Sequence, residues 1–342
     1  MVLAAATALA LAACGRAPRP ATALRLGGDT MGTTWNATVV APSGVAQSLE
    51  PELVAMIEEA LALVDDQMST WREDSELSRF NRHADTAPFA FSRETLDVLR
   101  LSRQVSVGSS GAFDVTVGPL VEAWGFGPGP DPAAPPPPEA VAALRERVGF
   151  EKLAIDAASG TASKLHPALE VDLSAIAPGY AVDLISERLA ARGFDRHLVE
   201  IGGEVRVAGA NPEGEPWRIA IERPLRDLRE TQRVLQVSDV AIATSGDYRD
   251  FYEIDGVRYS HTLDPATGSP VRHTLASATV VHESCALADA WATAMMVLGP
   301  EEGLRVAEEN ALAVLLLAYQ GEGVREITSA PFDLRFASAG SG

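Results

Sequence analysis

The chain has 342 residues, 46% of them hydrophobic, and a formal net charge of −19, which is length and apolar content for one large core or two. That charge argues against nucleic acid as a partner and against a basic membrane-binding surface. Lys152 and Lys164 are the only lysines and Cys14 and Cys285 the only cysteines, so a cation at any phosphate site must be arginine or a metal.

Val2 to Ala13 is an unbroken run of small apolar residues ending in Leu11-Ala12-Ala13-Cys14-Gly15. The run is too short to span a bilayer and fits the apolar core and cleavage site of a secretory signal. Its ending resembles the bacterial lipobox, in which the cysteine, here Cys14, is lipidated and becomes the mature N-terminus. A lipidated Cys14 would leave no intramolecular disulfide. No Lys or Arg precedes the run, a departure that a truncated start explains. Residues 1–13 are therefore expected to be a signal peptide, 14–23 a Pro-rich tether, and 24–342 a single domain.

Apolar residues at helical spacing (Leu53, Met56, Ile57, Leu61, Leu63, Val64) predict a helix over 49–68. A second is expected over 92–107, with Ser92 as its N-cap and Glu94 just after it. The Gly- and Pro-rich stretch 125–138 reads as a surface loop, followed by a short helix over 139–148. A third long helix spans 176–192 and is stopped by Gly193. Strands then follow quickly, at 196–201, 204–208, 217–222, 234–237, 241–244, 251–254 and 257–262, with turns short enough for antiparallel pairing. Asp255-Gly256 is a hairpin turn. The chain ends as strand 277–282, helix 286–298, helix 301–309 and strand 313–318. No Walker loop is present, and Gly125-Phe126-Gly127 lacks the strand-to-helix setting of a dinucleotide fingerprint. The class is α+β, a mixed, mainly antiparallel sheet packed with helices.

Several segments carry chemistry. In Ala288 to Gly299, Asp289 and Thr293 are four residues apart, on one face of a helix whose other residues are small or apolar. A carboxylate there is either a cap on a neighbouring loop or a ligand for a hard cation such as Mg2+. Ser110 to Thr116 puts Phe113 and Asp114 beside Gly111, as a ligand wall or as a helix C-cap. Asp172, before the third helix, is either its N-cap or a second acid near a metal. Thr244-Ser245-Gly246-Asp247-Tyr248 offers hydroxyls and amides to an anion, or is only a turn. His261 is either structural or the one group here suited to moving a proton near neutral pH.

Met31-Gly32-Thr33-Thr34-Trp35, Met68 to Trp71, Asp74 to Asn81, Gly111 to Leu120, Trp124 to Gly127, Asp172 to Asp183, Ile201-Gly202-Gly203-Glu204, Thr244 to Tyr248, His261 to Pro270 and Ala288 to Gly299 occur in this order. The series closely resembles the FAD:protein FMN transferases, the ApbE-type flavin transferase lipoproteins, from about Met31 to Tyr319. The resemblance implies an ApbE-like, T-fold-type core and a Mg2+-dependent reaction. FAD is split at its pyrophosphate, AMP leaves, and FMN is joined by phosphoester to a threonine of a partner protein. The acceptors it implies are subunits of membrane redox complexes carrying a Thr flavinylation motif, reached from the periplasmic face of a bacterial membrane, the inner one by preference, where Cys14 anchors the enzyme.

By motif position, Ala175 (through its carbonyl), Asp289 and Thr293 would hold the metal. Met31, Trp71, Ala112, Phe113, Asp114, Asp172, Pro178, Thr244, Ser245, His261 and Leu263 would line the FAD site. His261 or Asp247 would take the threonine proton, His261 being favoured on pKa grounds. Pro178 departs from the Lys that many members carry there, and it supplies neither charge nor N–H. Two other functions use the same features: a Mg2+-dependent FAD pyrophosphatase, differing only in its nucleophile, and a non-catalytic flavin-binding lipoprotein.

Overall fold

The structure, a computed structural model, describes residues 21–42, 44, 46–127, 134–225, 230–247, 251–254, 256–321 and 323–336. The expected signal peptide, Cys14, Tyr248, Asp255 and residues 128–133 of the Pro-rich loop lie outside these residues. Ala21–Thr30 is a strand, so the last three residues of the expected tether belong to the sheet.

An eight-stranded sheet organises the molecule, in the spatial order Ala21–Thr30, Thr33–Pro42, His197–Ile201, Glu204–Ala208, Val240–Gly246, Leu275–His282, Ala313–Gln320 and Gly323–Thr328. Every neighbouring pair is antiparallel. The strands follow one another in space as in sequence, and the sheet is open, with an edge at each end. Leu275–His282 and Ala313–Gln320 are buried along most of their length, which is why Ala313–Ala318 reads as a continuous apolar run rather than an alternating one. The first two strands, which the residue pattern left unassigned, form a hairpin through Met31 and Gly32, both at positive φ (47° and 73°), the geometry of a two-residue turn.

Insertions between these strands carry the helices. Ala46–Met68, Arg93–Gly108 and Ala177–Ala191 lie between the second and third strands, and Cys285–Glu309 between the sixth and seventh. The Ser92 cap forms, its Oγ accepting from Thr95 N at 3.3 Å. Gly193, at φ 83°, ends the Ala177–Ala191 helix, with Gly193 N and Phe194 N bonded back to Ala190 O and Leu189 O. Two short helices that the periodicity did not indicate, Glu76–Arg82 and Gly118–Ala123, and a small sheet of Phe89–Ala90, Thr161–Lys164 and Leu153–Asp156 complete this insertion. Each is shorter than the window in which a period can be recognised.

The helix Cys285–Glu309 breaks at Gly299, whose φ is 78° and ψ −179°, at the boundary expected between helices 286–298 and 301–309. Pro300 has no N–H to give the Met296 carbonyl four residues earlier; His273 Nε2 supplies it instead, at 2.7 Å. His273 Nδ1 meanwhile accepts from Leu275 N, which assigns the proton to Nε2. A Cβ on Gly299 would stand 2.8 Å from the His273 ring, so only glycine admits this closure.

Candidate functional site

Two adjoining cavities open beside the break, of about 520 and about 600 Å³. Thr70, Trp71 and Ser174 line both, so they form one elongated cleft divided by Trp71. Ser75 and Ser78 hydroxyls both donate to Ser69 O, at 2.6 and 3.2 Å, and fasten the turn that presents Trp71, whose side chain remains 69% exposed.

The first cavity gathers Trp71, Ala112, Phe113, Asp114, Asp172, Ala175, Ser245, His261, Leu263, Asp289 and Thr293 from segments far apart in the chain. Met31 and Pro178 line the second, with Trp71. Met31 is there because it occupies a left-handed turn position, which costs a non-glycine residue roughly 1 kcal/mol or more. Two expected residues are not on these walls. Thr244 bonds Thr279 across the sheet at 2.8 Å and lies in the row of Ile242, whereas Ala243 and Ser245 face the helix; strand alternation turns its hydroxyl to the opposite side. Asp247 stands behind the wall, its carboxylate 3.4 Å from the Arg258 guanidinium and its carbonyl also accepting from Arg258. Burial raises the Asp247 carboxyl above its usual range despite the nearby Arg258 and His261 charges. It anchors the hairpin Phe251–Ser260 that leads into His261 rather than facing the cleft.

Asp114 lines the cavity with both oxygens engaged. Oδ1 accepts from Thr116 N (2.8 Å) and Thr116 Oγ1 (2.7 Å), and Oδ2 from Phe150 N (2.8 Å). Its role is to fold the 112–116 segment against 149–150 and hold Ala112 and Phe113 at the wall. Gly111, at φ 85°, donates its amide to Ser106 O and reverses the chain after the Arg93–Gly108 helix. Asp172 is not the helix N-cap. The helix starts at Ala177, and Asp172 Oδ1 instead closes a turn by accepting from Ser174 N (2.8 Å) and Oγ (2.6 Å). The His261–Leu263 segment is fixed from behind by Trp124, whose Nε1 donates to Gly268 O at 2.8 Å. Phe126 lies edge-on to the His261 ring.

Asp289 is 6% exposed and accepts from Gly179 N at 3.2 Å through Oδ2. Gly179 lies in the first turn of its helix, where amides have no intrahelical acceptor, and Asp289 supplies one; Ala175, just before the helix, lines the cavity. A Cβ at Gly179 would fall 2.5 Å from Cys285 O; glycine is what lets the two helices approach this closely. Thr293 Oγ1 lies 3.2 Å from Ser245 Oγ. Burial pushes the Asp289 carboxyl up to about 7. Glu204 is pushed well above the carboxylate range by burial and then by the Asp289 charge.

The first cavity's wall carries no Lys or Arg among the described residues; its titratable groups are Asp114, Asp172, His261 and Asp289. With Asp114 committed internally, Asp289, Thr293 and the Ala175 carbonyl form an all-oxygen donor set. That set suits a hard divalent cation rather than a soft one, and no cluster of three or more His, Cys, Asp or Glu competes with it among the described residues. Residue reasoning did not single out Asp183, Glu204, Gly179 or His273; the first three fall in motif segments and His273 outside them, and the contacts that matter, such as His273 to Met296 and Gly179 to Asp289, join parts of the chain 23 or more residues apart.

Residues 31–316 match the sequence model of the ApbE family. A Vibrio cholerae protein named FAD:protein FMN transferase is 46% identical over 333 residues, covering 97% of each chain, and its Escherichia coli K12 namesake is 37% identical, covering 96% of this chain and 94% of its own. Among solved structures, the flavin transferase ApbE from Vibrio cholerae superposes with a TM-score of 0.85 at 46% identity, covering 92% of this chain and all of its own. The apo flavinyl transferase ApbE of Pseudomonas stutzeri gives 0.85 at 38% identity, covering 94% and 98%.

Proposed function

The chain belongs to the ApbE family and is an FAD:protein FMN transferase, and we propose that it uses Mg2+ to join FMN, through its phosphate, to a threonine of a membrane redox-complex subunit, releasing AMP. The observation that carries the metal is the buried Asp289 carboxylate in the first cavity, whose described wall has no Lys or Arg, Arg72 lining only the second. Such a wall repels a pyrophosphate unless a cation lies between them.

Asp289, Thr293 and the Ala175 carbonyl would hold Mg2+, which supplies positive charge to the phosphoryl group and the departing phosphate. The protein's own contribution is largely positioning. The elongated cleft accepts the two halves of FAD on either side of Trp71, with Met31 and Pro178 at one end and Phe113 and Leu263 at the other. The acceptor hydroxyl oxygen forms a bond to the FMN phosphorus as the phosphoanhydride P–O bond breaks. AMP leaves with the bridging oxygen, and the hydroxyl proton passes to His261, the imidazole on the wall. Asp247 is paired with Arg258 through Oδ2 and is not on the cavity wall, so His261 is favoured for that proton. Among the described residues no helix is long and apolar enough to cross a membrane. The lipobox-like Leu11 to Cys14 supports attachment through Cys14 at the periplasmic face.

The test incubates the purified protein with FAD, Mg2+ and an acceptor domain bearing the threonine motif, and weighs the acceptor by intact mass spectrometry. A gain of one FMN that disappears with EDTA is expected. Free FMN and AMP with an unmodified acceptor would replace the transferase by a pyrophosphatase, and a gain unaffected by EDTA would remove the metal.

A further inference from the structure

The helix that carries Asp289 and Thr293 is held at its start by a carboxylate from another helix. Asp183, 7% exposed, lies four residues after Gly179 on Ala177–Ala191. Its Oδ1 accepts from Cys285 N at 2.9 Å; its Oδ2 accepts from Ala286 N at 3.1 Å and Ser284 Oγ at 2.8 Å. Arg206, from the sheet, pairs with Oδ1. The helix already has a local cap, since Ser284 Oγ accepts from Leu287 N. Asp183 is therefore not needed to start the helix; it determines where the helix lies.

The two helices run antiparallel at this contact, and they are joined at two points: Gly179 to Asp289, and Asp183 to Cys285 and Ala286. Four residues separate the points on each helix, about 6 Å of helical rise. With both fixed, the Cys285–Leu298 segment can neither slide nor rotate. The spacing between the Asp289 carboxylate, which that segment carries, and the Ala175 carbonyl, which precedes the other helix, is then set. We propose that Asp183 is a positioning residue of the divalent-metal site, holding the ligand-bearing helix in the register that brings Asp289 and Thr293 to the Ala175 carbonyl. The inference rests on the metal reading above. It matters because metal ligation tolerates displacements of only about 0.2 Å, and groups one step behind the ligands typically change metal affinity about 10- to 100-fold when altered.

The test is direct Mn2+ binding to the full-length protein with FAD bound, followed by electron paramagnetic resonance, with transfer kinetics alongside. Asp183→Asn is expected to weaken Mn2+ at least about tenfold and to raise the Mg2+ concentration for half-maximal transfer in parallel. FAD affinity in EDTA and kcat at saturating metal stay close to the parent values. Ser329→Ala is the control for general loosening. It removes a fully buried hydroxyl that accepts from Val314 N and donates to Leu312 O on the far side of the sheet, and should lower Tm without moving Mn2+ affinity. If Asp183→Asn does not fold, Arg206→Gln, which removes the Asp183 ion pair and leaves the Ser284 cap in place, should shift Mn2+ affinity in the same direction by about threefold. Parental Mn2+ affinity in the folded variant, or a loss no larger than that of Ser329→Ala, overturns the proposal. Asp289→Ala separates the two levels: undiminished Mn2+ binding there defeats the metal reading itself, whereas loss there with parental affinity in Asp183→Asn defeats only the positioning role.

Discussion

The same strands present two different surfaces. On one face, Ile242, Val281, Leu315 and Leu317 pack with Trp217, Leu235 and Phe332 in a cluster of large apolar side chains. On the other, Ala241, Ala243 and Ala278 meet a helix rich in alanine, and buried polar groups collect there: Asp183, His197 and Asp289. Large residues fill space and secure the sheet, while small ones bring backbones together closely enough for Gly179 N to reach a carboxylate. Both faces bury apolar side chains, Val199, Ile201, Val280, Val314 and Leu316 lying on the helix side, but next to the site that side gives up some apolar packing to hold charges where a substrate can meet them.

If this division holds, substitutions on the two faces should have opposite signatures. Asp289→Ala should lower the transfer rate on the order of 10³-fold while leaving Tm unchanged or raised, because it removes a buried charge; a large drop in Tm measured by calorimetry would erase the distinction. Phe332→Ala, on the apolar face, should destabilise by about 3–5 kcal/mol in denaturant titration, with kcat/KM of the folded protein unaltered. His261→Ala should slow transfer about 10²-fold with FAD affinity within about twofold. A defect confined to FAD binding would make His261 a wall residue only. His273→Phe removes the donor to the Met296 carbonyl at the helix break and should cost about 1–3 kcal/mol, together with a higher FAD KM because Met296 and Val297 line the cleft.

The smallest effect concerns pH. His197 is fully buried between Ser186 Oγ and Phe194 O, both at 2.7 Å, and burial lowers its pKa. The unfolded chain then binds the proton more readily, so stability from this group is complete above the unfolded value near 6.5 and is lost progressively as pH falls below it. The loss stops below the lowered folded pKa. His197→Gln should flatten the dependence of the urea midpoint on pH below about 6.5; an unchanged slope would assign the acid sensitivity elsewhere.

Much of the site was legible because its signals are local. Asp289 and Thr293 one helical turn apart, the Gly193 stop, the Ser92 cap and the Gly299-Pro300 break are each decided by residues within a few positions of one another. Other features escaped the pattern because sequence does not give the direction of a side chain. Thr244 and Ser245 are equivalent as neighbours, yet only Ser245 faces the helix, since alternation is absolute but its phase is set by which side of the sheet the helix covers. Asp247 and His261 both look competent to move a proton, and the Arg258 pairing separates them.

The sequence alone determined the longer helices and the later strands, the family, and the acidic, lysine-poor character of the chain. Only the tertiary structure decided which groups share a wall and which are already spent on the fold. It assigned Asp114 to the local turn, Asp183 to a neighbouring helix, and the first-turn amide of Gly179 to Asp289. The physical reason is that a carboxylate or a carbonyl carries the same chemistry wherever it stands; its function depends on which donors reach it first, and those donors come from distant parts of the chain.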